Sequence, residues 1–143
     1  MAAIHFFVQE LDFKLSKPRK TKTWIKEVLR RENKELATLN YIFCSDAYLL
    51  SINEQYLNHR TLTDIITFDN SDGDNMEGDI FISVERVQEN ASKLKTHFDE
   101  ELHRVIIHGV LHLSGYGDKT RKEKALMRDK EDAYLSLRKR LKS

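Results

Sequence analysis

The chain has 143 residues, 40% hydrophobic and 33% charged, with 24 Lys and Arg against 23 Asp and Glu. That length suits a single domain over residues 1–143 with one ordinary core. No apolar run approaches the roughly 18 residues of a membrane span, and a net charge of +1 points to no class of partner.

The first elements follow in chain order. Ile4-His-Phe-Phe-Val8 predicts a strand. The residues around it include Glu10 and Asp12 and lack a basic leader region, so no secretory signal and a cytoplasmic location are expected. Thr21 or Thr23 is placed to cap a helix running to about Asn33, with Trp24, Ile25, Val28 and Leu29 inward. Leu36 to Cys44 predicts a second strand, able to pair parallel with the first. Cys44 has no partner for an intrachain disulfide, fits a reducing cytosol, and is expected to be a buried structural thiol.

Ser45-Asp46 predicts the cap of a helix through about Leu57, with Leu49, Ile52, Asn53 and Tyr56 on one face. Thr63–Phe68 and Asp79–Ser83 predict the third and fourth strands. The acidic stretch between them fails the spacing of a calcium loop from either Asp69 or Asp72 and is read as a polar hairpin loop. Ser83 opens a helix to about His97, with Val84, Val87, Ala91 and Leu94 inward. Asp99 is read as the cap of the next helix, through Ser114, and Thr120-x-x-Glu123 as the capping box of the last. The sum is an α+β domain with a mixed four-stranded sheet and about five helices. Two basic clusters, Lys17-Pro-Arg-Lys20 with Lys22 and Arg138-Lys-Arg140 with Lys142, are read as solvated faces, with phosphate contact the alternative.

Chemistry concentrates in His108-Gly-Val-Leu-His112-Leu-Ser-Gly115-Tyr-Gly-Asp118. On a helix His108 and His112 stand about 40° apart on one face, one turn from each other, and can grip one ion. Gly115 offers a helix stop, after which the chain can present Asp118 as a third ligand. This is the layout of an open zinc site, on a helix-turn in the C-terminal third. Zinc proteases of this layout carry Glu after the first His, where this chain has Gly109, so a peptidase is not expected. Gly109 needs a reason of its own: close packing against a strand, or room for a bulky substrate. His5, His97 and His103 are read as structural.

Three segments together carry a resemblance: Asn58-His59-Arg60-Thr61-Leu62-Thr63-Asp64 before an apolar strand, Gly78-Asp79-Ile80-Phe81-Ile82-Ser83, and the metal motif through Tyr116, with Met127 and Glu131 on the last helix. In order and spacing, from about Tyr41 to Leu137, they resemble the bacterial YbeY family of rRNA-maturation endoribonucleases. The resemblance implies a metal-dependent, single-strand-specific endoribonuclease acting on the 3′ end of 16S rRNA, with a part in ribosome quality control. Its partners would be single-stranded rRNA and the small ribosomal subunit with its assembly factors. One zinc ion is the implied cofactor, on His108, His112 and Asp118. The family usually has a third His where Asp118 stands, so a weaker Lewis acid and a tolerance for Mn²⁺ or another harder ion are expected.

On this reading Arg60 holds a substrate phosphate with its two-pronged guanidinium. Asp64 and Asp79 are either strand-end hydrogen-bonders or carboxylates that orient a ligand His. Asn58 and His59 sit beside Arg60 and can reach the cleft. Tyr116 either stacks on a base or packs on the metal helix. Whether water or the RNA 2′-hydroxyl attacks stays open. So do two rivals: another metallohydrolase, and a non-catalytic small-subunit assembly factor with a structural metal.

Overall fold

A computed structural model describes residues 2–58 and 62–142. Its elements are β1 (Ala3–Gln9), α1 (Pro18–Arg31), β2 (Glu35–Cys44), α2 (Asp46–Leu57), β3 (Ile65–Asp69), β4 (Asn75–Ser83), α3 (Val84–Leu94), α4 (Phe98–Leu113) and α5 (Arg121–Arg140). The sheet order is β1-β2-β4-β3. β1, β2 and β4 run parallel, and β3 pairs antiparallel with β4 as the edge hairpin. The α+β class, the mixed sheet and the single domain are as expected. β4 starts at Asn75, ahead of the expected Asp79, because Glu35, Leu36 and Thr38 of β2 extend the ladder to Asn75, Met76 and Glu77. Among the described residues, no helix is long and apolar enough to cross a membrane.

Helix starts are where the expectations miss. α1 begins at Pro18, whose fixed φ and absent N–H suit a first helical position, so neither Thr21 nor Thr23 caps it. Thr21 instead lies buried in the first turn. α4 begins at Phe98 with His97 as N-cap; Asp99 falls in the first turn, where its charge meets the positive end of the helix. Ser45, Ser83 and the Thr120–Glu123 box cap as expected. Leu94 is 62% exposed rather than inward, since α3 stops there and Lys95 turns left-handed.

Strand alternation splits the buried residues between two faces. Leu39, Tyr41, Phe43, Ile80 and Ile82 join Trp24, Ile25, Val28 and Leu29 of α1 and Ile106 and Val110 of α4 in the main core. Cys44 and Ile66 pack with Leu49 and Ile52 of α2 on the other. Cys44 is fully buried, and burial pushes its thiol up to about 12. Tyr56, expected to share a face of α2 with Leu49, Ile52 and Asn53, is exposed where those three are buried, although its ring meets Phe68 edge-on.

α4 crosses β3 and β4 at Gly109. A Cβ there would sit 3.1 Å from Ile65 Cδ1 and 3.1 Å from Ile80 Cγ2. Gly109 is buried, so its reason is close packing and not room for a substrate.

Candidate metal centre and cleft

α4 ends in a glycine turn. Gly115 has φ +110°, the Gly115 N–H donates to the His112 carbonyl, and the Tyr116 N–H donates to the Leu111 carbonyl. That pair of bonds closes the helix end and sends the chain backwards. Asp118 is thereby returned to α4, with its Oδ2 3.7 Å from His108 Nε2.

The other ring nitrogen of His108 is held from α5. His108 Nδ1 lies 2.7 Å from Glu131 Oε2. Arg104, one turn before His108, donates to Glu131 Oε1 at 2.9 Å and to Asp132 at 2.7 Å. Burial opposes a charge on His108, but Glu131, Asp118 and Asp64 outweigh it and raise its pKa. Burial likewise opposes charge on Glu131, yet His108 and Arg104 draw its pKa down. An ionised Glu131 fixes the proton on Nδ1 and leaves Nε2 facing Asp118.

Two cavities of about 490 Å³ each flank this pair. One is lined by Asp64, Glu101, Arg104, His108, Asp118 and Glu131 among others, with Lys124 and Arg128 also on its wall. The other brings His112 to His108 and Asp118. Among the described residues no three His, Cys, Asp or Glu side chains are gathered into a metal-holding group. The donor set nonetheless fits one. Two ligands at about 2.1 Å on a tetrahedral ion lie roughly 3.4 Å apart, close to the His108–Asp118 separation. His112 and Asp118 are exposed and have room to turn.

The chain matches the family model of the endoribonuclease YbeY over residues 7–139. It is 54% identical to the endoribonuclease YbeY of Flavobacterium psychrophilum over 92% of this chain and 94% of that protein. For the endoribonuclease YbeY of Cytophaga hutchinsonii the identity is 51%, over 95% and 96%. The chain belongs to the YbeY family. A Thermotoga maritima protein solved in solution is similar in fold, with a TM-score of 0.68 at 27% identity, covering 95% of this chain and 89% of that one.

Against this YbeY-family frame the candidate residues separate. Asp64 reaches the cleft beside His108, and its pKa is raised, chiefly by burial. Asp79 does not: it points to the α2 side of the sheet, opposite Ile80, and accepts from Asn40 Nδ2 at 3.0 Å. Orienting a ligand His is therefore not its role. Tyr116 lines neither cavity; its hydroxyl donates to Glu32 at 2.6 Å and Lys130 lies over its ring. Asn58 is the left-handed C-cap of α2, its N–H on the Asn53 carbonyl. His59 and Arg60 lie outside the described residues.

Five charged cleft residues carried no assigned role from sequence: Glu101, Arg104, Lys124, Arg128 and Glu131. Glu131 is buried on the stripe that Met127, Tyr134 and Leu135 form along α5. A carboxylate on an apolar helical stripe was its signal, and the spacing of four before His108 was that of Arg104.

Proposed function

We propose that this protein is a metal-dependent, single-strand-specific endoribonuclease of the cytoplasm, acting in 16S rRNA 3′-end maturation and ribosome quality control in contact with the small subunit and its assembly factors. The observation that carries this reading is a His108 fixed by Glu131 on one nitrogen and facing Asp118 with the other, in a chain of the YbeY family.

In this reading His108, His112 and Asp118 hold one divalent ion, zinc or, given the harder carboxylate, manganese. The bound ion supplies Lewis acidity toward phosphate and a nucleophile at neutral pH, so no Glu is required at position 109. Glu131 keeps the His108 ring in one tautomer and one orientation. Arg104 holds Glu131 in turn. Lys124 and Arg128 on the cleft wall attract the RNA backbone against the acidic Asp64 and Glu101. Arg60 grips a phosphate through paired hydrogen bonds.

The test is cleavage of a labelled single-stranded rRNA 3′ segment by metal-quantified protein, wild type beside His112→Ala. Cleavage should scale with one bound metal and vanish in a mutant that keeps its fold. A metal-loaded wild type as inert as the mutant would overturn the proposal in favour of a ribosome-binding factor.

A further inference from the structure

The two basic clusters, remote in sequence, meet in the fold. Arg138, near the end of α5, donates through Nη2 to Thr21 Oγ1 of α1 at 3.1 Å, across 117 residues. Beside that contact lies a cavity of about 610 Å³ walled by the first turn of α4 and the end of α5, including Phe98, Asp99, His103, Arg138 and Lys139. It shares no lining residue with the His108 cleft.

Arg138 is only 9% exposed. Its guanidinium lies 5.6 Å from the Trp24 ring, and its Nε is buried with no hydrogen-bond partner. Among the described residues no carboxylate stands within ion-pair distance of it. Arg86 also has an unpaired Nε, but Asp46 neutralises that guanidinium at 2.8 Å. A guanidinium has five N–H donors and loses its hydration on burial, so one hydroxyl partner leaves most of its bonding unanswered, and its charge is met only by the Trp24 ring and by Asp99 beyond ion-pair distance. An anion answers both.

The surroundings favour one. Lys20 is close enough to Arg138 for their charges to repel, and Lys139 stands exposed on the cavity wall. His97 gives α4 no side-chain cap, so first-turn N–H groups remain open at the same wall. Two carboxylates oppose. Glu100 is occupied by Thr96 at 3.0 Å and lies 4.0 Å from Lys139, which leaves Asp99 as the repulsive neighbour. His103, held neutral by burial, adds no charge at pH 7. His103 and His108 lie about 140° apart round α4, but Glu131 and Arg138 are seven residues apart along one face of α5, about 10.5 Å of rise, so a single strand of a few nucleotides that follows α5 can touch both places.

We propose that Arg138, with Lys20 and Lys139, forms a second phosphate site, which takes a backbone phosphodiester of single-stranded RNA outside the metal cleft. The inference rests on the RNA reading above.

The test is equilibrium binding of a labelled single-stranded RNA of about 12 nucleotides over a salt series. Binding to the metal-loaded protein is read by stopped flow before cleavage, for wild type, Arg138→Gln and Lys20→Gln. Each variant should bind several-fold more weakly, and its slope of log K against log salt should flatten by about 0.7 for a lost phosphate contact. An oligomer with an uncharged backbone should bind all three alike. Thermal melts verify folding, and the partly exposed Lys20 decides the matter if Arg138→Gln does not fold. Folded variants with wild-type affinity and slope would overturn the site. So would phosphate raising the wild-type melting temperature at matched ionic strength while RNA binding ignores both substitutions, since the site would then belong to the free anion. A wild type that neither binds nor cleaves RNA would instead bring down the function proposed above.

Discussion

Gly109 carries the usual cost of a helix-interior glycine, about 1 kcal/mol against alanine, because α4 lies nearer to Ile65 and Ile80 than a methyl group permits. Gly109→Ala should therefore destabilise by about 1–3 kcal/mol despite its better helix propensity. Urea unfolding checks this, and a midpoint at or above that of wild type would refute the packing argument. Glu131 poses the complementary case of a buried charge with two partners, His108 and Arg104. Glu131→Gln keeps the shape but removes the carboxylate that fixes the His108 tautomer. Zinc affinity should fall about 10–100-fold, measured by competition with a chromophoric chelator, while circular dichroism stays unchanged. Equal affinity would mean that Glu131 serves the fold alone.

α4 is the element on which both sites are mounted, and its two faces titrate in opposite senses. On the face toward α1, His103 meets Trp24 edge-on at 6.0 Å. Burial, then Arg138 and Lys20, pushes its pKa down to about 4, with Asp99 opposing. The unfolded chain, with an ordinary histidine near 6.5, takes up the proton first as pH falls. The stability is thus fully present above about pH 6.5 and drains away as pH drops toward the folded value. By pH 5 the loss from this one ring should reach about 2 kcal/mol, less to the extent that solvent reaches it. Urea unfolding of wild type and His103→Gln at pH 7 and pH 5 checks this: the wild type should lose more on acidification, and parallel losses would exclude His103 as the cause.

For the whole molecule, a metal on His108, His112 and Asp118 would tie the end of α4 to the loop before α5. Free zinc at about 100 times its dissociation constant should add about 2.7 kcal/mol to stability. Thermal melts against zinc concentration should rise for wild type and stay flat for His112→Ala, and a wild-type melt indifferent to zinc and manganese would remove the proposed ion.

Local pattern was enough for what depends on local pattern. The apolar periods of Trp24–Leu29 and Leu36–Cys44, the caps at Ser45 and Ser83, the box at Thr120 and the glycine stop at Gly115 each rest on neighbours within a turn or two, and they emerged where expected. The motif from His108 to Asp118 was legible for the same reason, and with the segments around Asp64 and Asp79 it also marked the family. Helix starts at Pro18 and Phe98 were misjudged because neither N-cap, Lys17 or His97, makes a side-chain cap, so the search for a capping side chain pointed inside each helix, and at α1 the proline itself was the local signal.

Sequence could not say which face of the sheet a strand-end carboxylate would occupy. Asp64 and Asp79 precede similar apolar runs, yet one reaches the cleft and the other bonds Asn40. The pairing of Glu131 with His108 joins residues 23 apart, and that of Arg138 with Thr21 joins residues 117 apart. Such contacts exist only once α4 and α5 have packed, because burial and proximity of charge are properties of the assembled chain and not of any window along it.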